Sequence, residues 1–277
     1  MTLNPIFIKA TDFSDAWFQT LYACVEHGRE FIIDQGSFAG QKRLEFDHIT
    51  IQITHPGTLP LLPKLNPLLN IPDPVAEGYL DEYLPYLMTG EIQDREAYSY
   101  GQRICAPDVG AIFDLMNEKQ EHNIIPEMGD DTIEQFNAKD ILFSDKDAAR
   151  MFLNQMELMI WTYKNKGHRN NQMILQVGQP SDMLLKDPPC LRHIDTRIQD
   201  GKLHFFPYFR SWDLWGGFPA NLAAIELMKQ YCAAEIGVEN GEIIASSKGL
   251  HLYNYVWEIT EAIRGKKILD SRKDLDI

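Results

Sequence analysis

Positive charge is in short supply: 26 lysines and arginines stand against 40 aspartates and glutamates, a formal net charge of −14. Binding to nucleic acid or an anionic membrane relies on a basic surface patch, so neither is expected as a partner. A small anionic substrate is still compatible, because a few clustered arginines can oppose the global field. Cysteine is scarce too. Cys24, Cys105, Cys190 and Cys232 are far apart and none belongs to a CxxC pair, which argues against a zinc site or a disulfide framework and for a reducing compartment. No apolar run approaches the roughly 18 residues of a membrane span. Met1-Thr2-Leu3-Asn4-Pro5 is not a basic stretch leading into an apolar one, so no signal peptide is expected. Glycine-rich phosphate loops, internal repeats and low-complexity tracts are all missing. These absences leave a cytoplasmic globular protein of ordinary composition, 44% hydrophobic and 24% charged. Its 277 residues are expected to form a single domain, 1–277, around a substantial core.

Periodicity supplies the elements. Phe13 to His27 carries Trp17, Phe18, Leu21, Tyr22 and Val25 at helical spacing behind a cap at Asp12 or Ser14. His48–Thr54 alternates as a half-buried strand ended by Pro56-Gly57. Prolines at 60, 63, 67, 72 and 74 mark a meandering connection. Val75–Met88 reads as a helix with Pro85 as a kink or stop, and Ala148–Lys166 as the longest helix. Gln172–Val177, His193–Gln199 and Leu203–Arg210 read as strands, the last two joined at Asp200-Gly201 in a hairpin. Asn221–Ala234 is again helical and Glu242–Ser246 a strand. The sum is an α+β layout with a largely antiparallel sheet, lacking the βαβ rhythm of a doubly wound fold.

The chemistry-bearing residues cluster late. Asp187-Pro188-Pro189-Cys190, Arg210-Ser211-Trp212-Asp213, Gly217-Phe218-Pro219-Ala220-Asn221 and His251-Leu252-Tyr253 supply a thiol, a fixed cation, a carboxamide and two groups suited to a sugar hydroxyl. Each has an ordinary alternative. A lone cysteine is more often a small buried hydrophobe, Asn221 an ordinary helix cap, His251 and Tyr253 packing residues, and Trp212 and Trp215 core aromatics. Taken together and in this order, the motifs resemble the thymidylate synthase family, which includes pyrimidine nucleotide hydroxymethylases. Weaker similarity reaches back to about Asp81.

The resemblance implies a large, mostly antiparallel sheet covered by helices on one face, with a homodimer formed through the other. It implies that Cys190 adds to C6 of a uracil ring, that Arg210 and Ser211 hold the phosphate, and that Asn221 reads the base. An asparagine at that place goes with uracil, an aspartate with cytosine. His251 and Tyr253 would hold the sugar hydroxyl. Asp213, counted among the catalytic residues, would position the pterin ring or the site's backbone, and with Trp212, Trp215 and Gly217 it would hold a methylene-tetrahydropterin, either 5,10-methylenetetrahydrofolate or a methanopterin analogue. Asp81-Glu82-Tyr83-Leu84-Pro85 resembles the family's glutamate-bearing helix, with Glu82 organising proton-moving water and Asp81 as contender. Tyr98-Ser99-Tyr100-Gly101 resembles its Tyr-Gly loop, with Tyr100 assisting loss of the C5 proton. No metal is implied.

The chain also departs from the pattern. The adjacent arginines that a partner subunit lends to the phosphate shrink here to Arg169, within Gly167–Met173. The early phosphate arginine is replaced by Gln35 in Asp34-Gln35-Gly36-Ser37, with Lys42 or Arg43 as substitutes. Leu191 stands where the family has a histidine, the segment from Gly90 to Tyr98 is too short for the usual cofactor tryptophan, and the tail Lys266–Ile277 is short and charged. These changes resemble a compact, archaeal-like branch. C5 methylation of dUMP is the expected activity. The alternatives are 5-hydroxymethylation of a uracil or cytosine nucleotide, or nucleotide binding without catalysis.

Overall fold

The computed structural model describes residues 2–34, 39–94, 96–110, 135–145 and 150–265. Gln35, Gly36, Ser37 and the tail from Lys266 onward lie outside the described residues. Six strands form the main sheet: β1 (Pro5–Ala10), β4 (His48–Ile53), β11 (Glu239–Ser247), β9 (Lys202–Phe209), β8 (Leu191–Gln199) and β7 (Ile174–Gln176), in that spatial order. Three of its pairings are antiparallel, and two, β1 with β4 and β11 with β9, are parallel. Period-2 alternation decides which side is buried. Ile49, Ile51 and Ile53 on β4, Leu203, Phe205 and Phe209 on β9, and Ile243 and Ala245 on β11 all point into the core. Above them lie α1 (Phe13–His27), capped by Asp12, and α5 (Gly217–Ile236). The opposite face keeps Phe7, Thr50, Gln52, Phe206, Tyr208 and Ile244 half-buried or exposed.

A second sheet, in order β10 (Trp212–Asp213), β12 (Leu250–Tyr253), β3 (Lys42–Glu45), β2 (Arg29–Ile32), continues the first. β9 runs on into β10 and β11 into β12; β9 and β11 pair in parallel, and so do β10 and β12. Leu44, Leu250 and Leu252 are buried. Arg43, Glu45, His251 and Tyr253 alternate with them and stand on the other face, in register as His251 opposite Glu45 and Tyr253 opposite Arg43.

Several boundaries differ from the periodicity reading. Of the expected helix Ala148–Lys166, the first two residues lie outside the described residues, and the rest divides into strand β6 (Arg150–Leu153), paired with β5 (Leu142–Asp145), and helix α4 (Gln155–Lys166). The break is Asn154, whose Oδ1 accepts from the Glu157 N–H at 3.2 Å and caps α4. Met151 and Phe152 therefore belong to a strand. Helix α2 (Tyr79–Leu87) begins after Gly78, at φ 81°, and continues through Pro85. Asp81, whose carbonyl loses that N–H partner, is exposed, so water can replace the bond. The hairpin at Asp200-Gly201 is as expected, with positive φ at both residues, the signature of a two-residue I′ turn.

Candidate active site

The site forms at the corner where β9 and β11 leave the main sheet for the second one. Cys190 precedes β8 and Arg210 follows β9, and the Arg210 N–H donates to the Cys190 carbonyl at 2.8 Å, extending the ladder by one rung. The Arg210 side chain wraps the proline turn. Its Nε donates to Pro189 O at 3.1 Å, its Nη2 donates to Pro188 O, and the same Nη2 lies 3.5 Å from Asp187. Burial pushes the Cys190 thiol pKa up, Arg210 and Arg192 pull it down, and Asp187 adds to the rise. Cys190 is only partly buried, unlike Cys24, Cys105 and Cys232.

Tyr100 opens helix α3 (Tyr100–Cys105), which Ser99 caps through a 2.9 Å bond from the Gln102 N–H. Its hydroxyl oxygen accepts from the Leu191 N–H at 3.3 Å, one residue beyond the thiol. Gly101 is required because a Cβ there would run into the carbonyls of Tyr86 and Thr89 at the end of α2. Tyr83, Tyr86, Leu87, Tyr98 and Tyr100 line a cleft of about 640 Å³ between α2, α3 and the Leu185–Asp187 segment. Cys190 adjoins this cleft without lining it.

Asn221 sits in the second turn of α5 with its amide already oriented. Its Oδ1 accepts from Trp212 Nε1 at 3.1 Å, and its Nδ2 donates to Tyr83 Oη at 2.9 Å. One lone pair and one N–H remain for a ligand. Trp212 is 2% exposed and stacks on Phe209 at 3.9 Å, so it serves Asn221 from the core and does not wall a cavity. Trp215 is partly buried, edge-on to Trp17. Asp213 accepts from the N–H groups of Trp215, Gly216 and Gly217 at 3.3, 2.9 and 2.9 Å, closing the N-terminus of α5. Ser211 lies between them at the strand corner, partly buried.

His251 is 3% exposed. Its Nδ1 faces the Gly249 carbonyl at 2.8 Å, which can only accept, so the proton is on Nδ1 and Nε2 is an acceptor with no partner. Burial lowers its pKa to about 4. Tyr253 meets the ring edge-on at 4.7 Å. Of the two substitutes for the early arginine, Arg43 stands opposite Tyr253, with its Nη2 2.6 Å from Glu45.

Two expected residues stand apart from this cluster. Glu82 is exposed on α2, and it is the next residue, Tyr83, that reaches Asn221. Arg169 is exposed between α4 and β7, and the β7–β8 register puts it toward the far end of β8 from Cys190. Tyr83, Arg192, Arg103 and Asp182 escaped the sequence reading. Tyrosine spacing along Tyr79, Tyr83 and Tyr86 was the one available signal.

Fold and site together define an α+β protein that carries a thiol, a guanidinium and an oriented carboxamide around the corner between its two sheets. The chain belongs to the thymidylate synthase family, whose model matches residues 116–268, more than half of the 277. It is 28% identical over 258 residues to a protein of Methanosarcina acetivorans named "Putative thymidylate synthase", covering 92% of this chain and 93% of that one. A protein of the same name from Methanosarcina mazei is 29% identical over 259 residues, with the same coverage. A thymidylate synthase of Listeria monocytogenes is 35% identical over 86 residues, 31% of this chain and 27% of that one.

Proposed function

We propose that this chain transfers a one-carbon unit to C5 of dUMP, giving dTMP, through a covalent adduct between Cys190 and C6 of the ring. What supports the reading is that Arg210 bonds the Cys190 carbonyl at the sheet corner, while Trp212, two residues on, holds Asn221, and Asp213 pairs with His251. C5 of uracil is a poor nucleophile by itself. Addition of the Cys190 thiolate at C6 converts the ring to an enolate, and C5 gains the electron density to attack. The negative charge gathers on O4, where the free N–H of Asn221 donates, while its Oδ1 accepts from N3–H. His251 Nε2 accepts from a sugar hydroxyl, with Tyr253 beside it. Arg210 and Ser211 take the phosphate. Binding that anion draws Arg210 off the Pro188 and Pro189 carbonyls, and Arg169 of a second copy joins it across a dimer. Tyr100 and a water molecule remove the C5 proton, and Cys190 departs from C6 as the thiolate when the ring regains conjugation.

The tyrosine-walled cleft suits a flat bicyclic ring, and Asp213, Trp215 and Gly217 would approach the same ligand from the N-terminus of α5. A methylene-tetrahydropterin bound there supplies the methylene group and, for a methyl product, the hydride. The walls carry hydroxyls and Glu96 in place of a tryptophan, which favours a second reading in which water completes a hydroxymethyl group.

Incubation with [5-³H]dUMP and methylenetetrahydrofolate is expected to release tritium and form dTMP, whereas a hydroxymethyl product would establish the second reading. Cys190→Ala should reduce release to the buffer background while dUMP binding persists. Release that survives this change removes Cys190 as nucleophile. Binding without release by the unaltered protein would indicate a non-catalytic nucleotide binder.

A further inference from the structure

Behind the cleft, Asp182 is 1% exposed in the turn Pro180–Leu184, and both of its oxygens are engaged. Oδ1 accepts from Arg103 Nη2 at 2.9 Å; Oδ2 accepts from Arg192 Nη1 at 2.9 Å and from the Gln179 N–H at 2.7 Å. The two guanidiniums come from different elements. Arg103 lies on α3, almost one turn after Tyr100. Arg192 lies on β8, two residues after Cys190, and its Nη1 also donates to the Pro189 carbonyl at 3.3 Å. Both are crowded into place. Arg103 packs its guanidinium carbon 5.6 Å from the centre of the Tyr98 ring, and a Cβ on Gly178 would collide with the Arg192 guanidinium. One carboxylate thus ties the helix that carries Tyr100 to the turn that carries Cys190. Two further bonds join these segments, the Leu191 N–H to the Tyr100 hydroxyl at 3.3 Å and the Tyr98 hydroxyl to the Asp187 carbonyl at 3.2 Å, both long for hydrogen bonds.

We propose that Asp182 is a positioning residue, which sets the Cys190 thiol and the Tyr100 hydroxyl at the spacing demanded by two adjacent ring atoms. The proposal rests on Cys190 being the nucleophile. C6 takes the sulfur and C5 loses the proton, and these carbons are bonded to each other, so the two protein groups must hold one relative geometry through the reaction. Substrate binding makes no such demand on Asp182, which bonds none of Arg210, Asn221 and His251; its link to Arg210 is indirect, through Arg192 and the Pro189 carbonyl that both arginines share.

The test compares wild type, Asp182→Asn and Asp182→Glu for tritium release from [5-³H]dUMP, kcat, KM and the Kd of dUMP. Asp182→Asn keeps the shape but weakens both charge-assisted bonds. It should lower kcat and tritium release together by about 100-fold, the cost of misplacement by about an ångström. The Kd of dUMP should stay within a few-fold of wild type, and Asp182→Glu should recover part of the rate. Lowered thermal stability with an unchanged kcat per folded molecule would overturn the proposal, as would a loss confined to dUMP affinity. If Asp182→Asn does not fold, Arg192→Lys provides the measurement: it retains the charge but loses the two-point grip on Asp182 and Pro189, and a normal kcat in it would likewise overturn the proposal. Absence of tritium release from wild type would instead remove the underlying functional reading.

Discussion

The His251 ring is buried, held by the Gly249 carbonyl on one nitrogen and, among the described residues, by no partner on the other. Burial, helped by Arg43 on β3, opposes its protonation and outweighs the Gly249 hydrogen bond and Asp213 on β10, which favour it. The histidine is therefore neutral in the folded protein down to about pH 4, whereas the unfolded chain takes up the proton near 6.5. Between those values the unfolded state binds more protons, so stability falls as pH falls, by about 3 kcal/mol across the whole window. Burial lowers His193 and His204 as well, in the same direction. Denaturant titrations of wild type and His251→Asn from pH 7 to 5 isolate the one ring: the variant should lose less stability on acidification. Parallel pH dependences would mean that the ring is not held neutral. At this same scale, the residue types of the site were legible in the sequence, since a thiol, a guanidinium and an amide advertise their chemistry. Their orientation was not legible. Nothing local says that Trp212 turns its ring inward and only its N–H toward Asn221.

Helix α5 is the element on which the site depends. Its residues are buried on nearly every side, from Phe218 to Ile236, so its position is dictated by the core, and Asn221 inherits that position. Its N-terminus has no capping side chain at Gly216, and Asp213 takes that role from β10. Asp213→Ala should uncap three amides and cost about 1–2 kcal/mol of stability, measured by denaturant midpoint, with a raised KM for dUMP as Asn221 loosens. A variant of unchanged stability would mean that the cap carries no energy. Strand alternation and the α5 pattern were readable because one buried face imposes a period. The α4 boundary was not, because the adjacent apolar pair Met151 and Phe152 satisfies either period. Arg43 and His251 became neighbours only through the β3–β12 pairing, across a sequence separation that periodicity cannot span.

For the molecule as a whole, the second face of the main sheet stands out, because no helix covers it among the described residues. Phe7 is 63% exposed there, and Phe206, Tyr208 and Ile244 surround a cavity of about 420 Å³ with His193 and Ser246. A sheet with one apolar face covered and a second partly apolar face bare calls for a cover. The proposed dimer supplies it and would bring Arg169 to a phosphate that its own chain cannot reach. Sedimentation at micromolar concentration should give twice the mass of one chain, and Phe206→Glu should give monomers that bind dUMP weakly. A wild-type monomer at that concentration would remove both the dimer and the role of Arg169.

By itself the sequence determined the reactive groups, their order and the elements that carry them. Side-chain chemistry and hydrophobic period are local properties and survive being read in a line. Tertiary structure alone decided which groups meet. It set Tyr83 rather than Glu82 against Asn221, gave Asp213 to a helix it does not belong to, and stretched Asp182 between two arginines. Such meetings depend on strand register and helix packing, which are settled by the burial of the whole core and are written in no single segment.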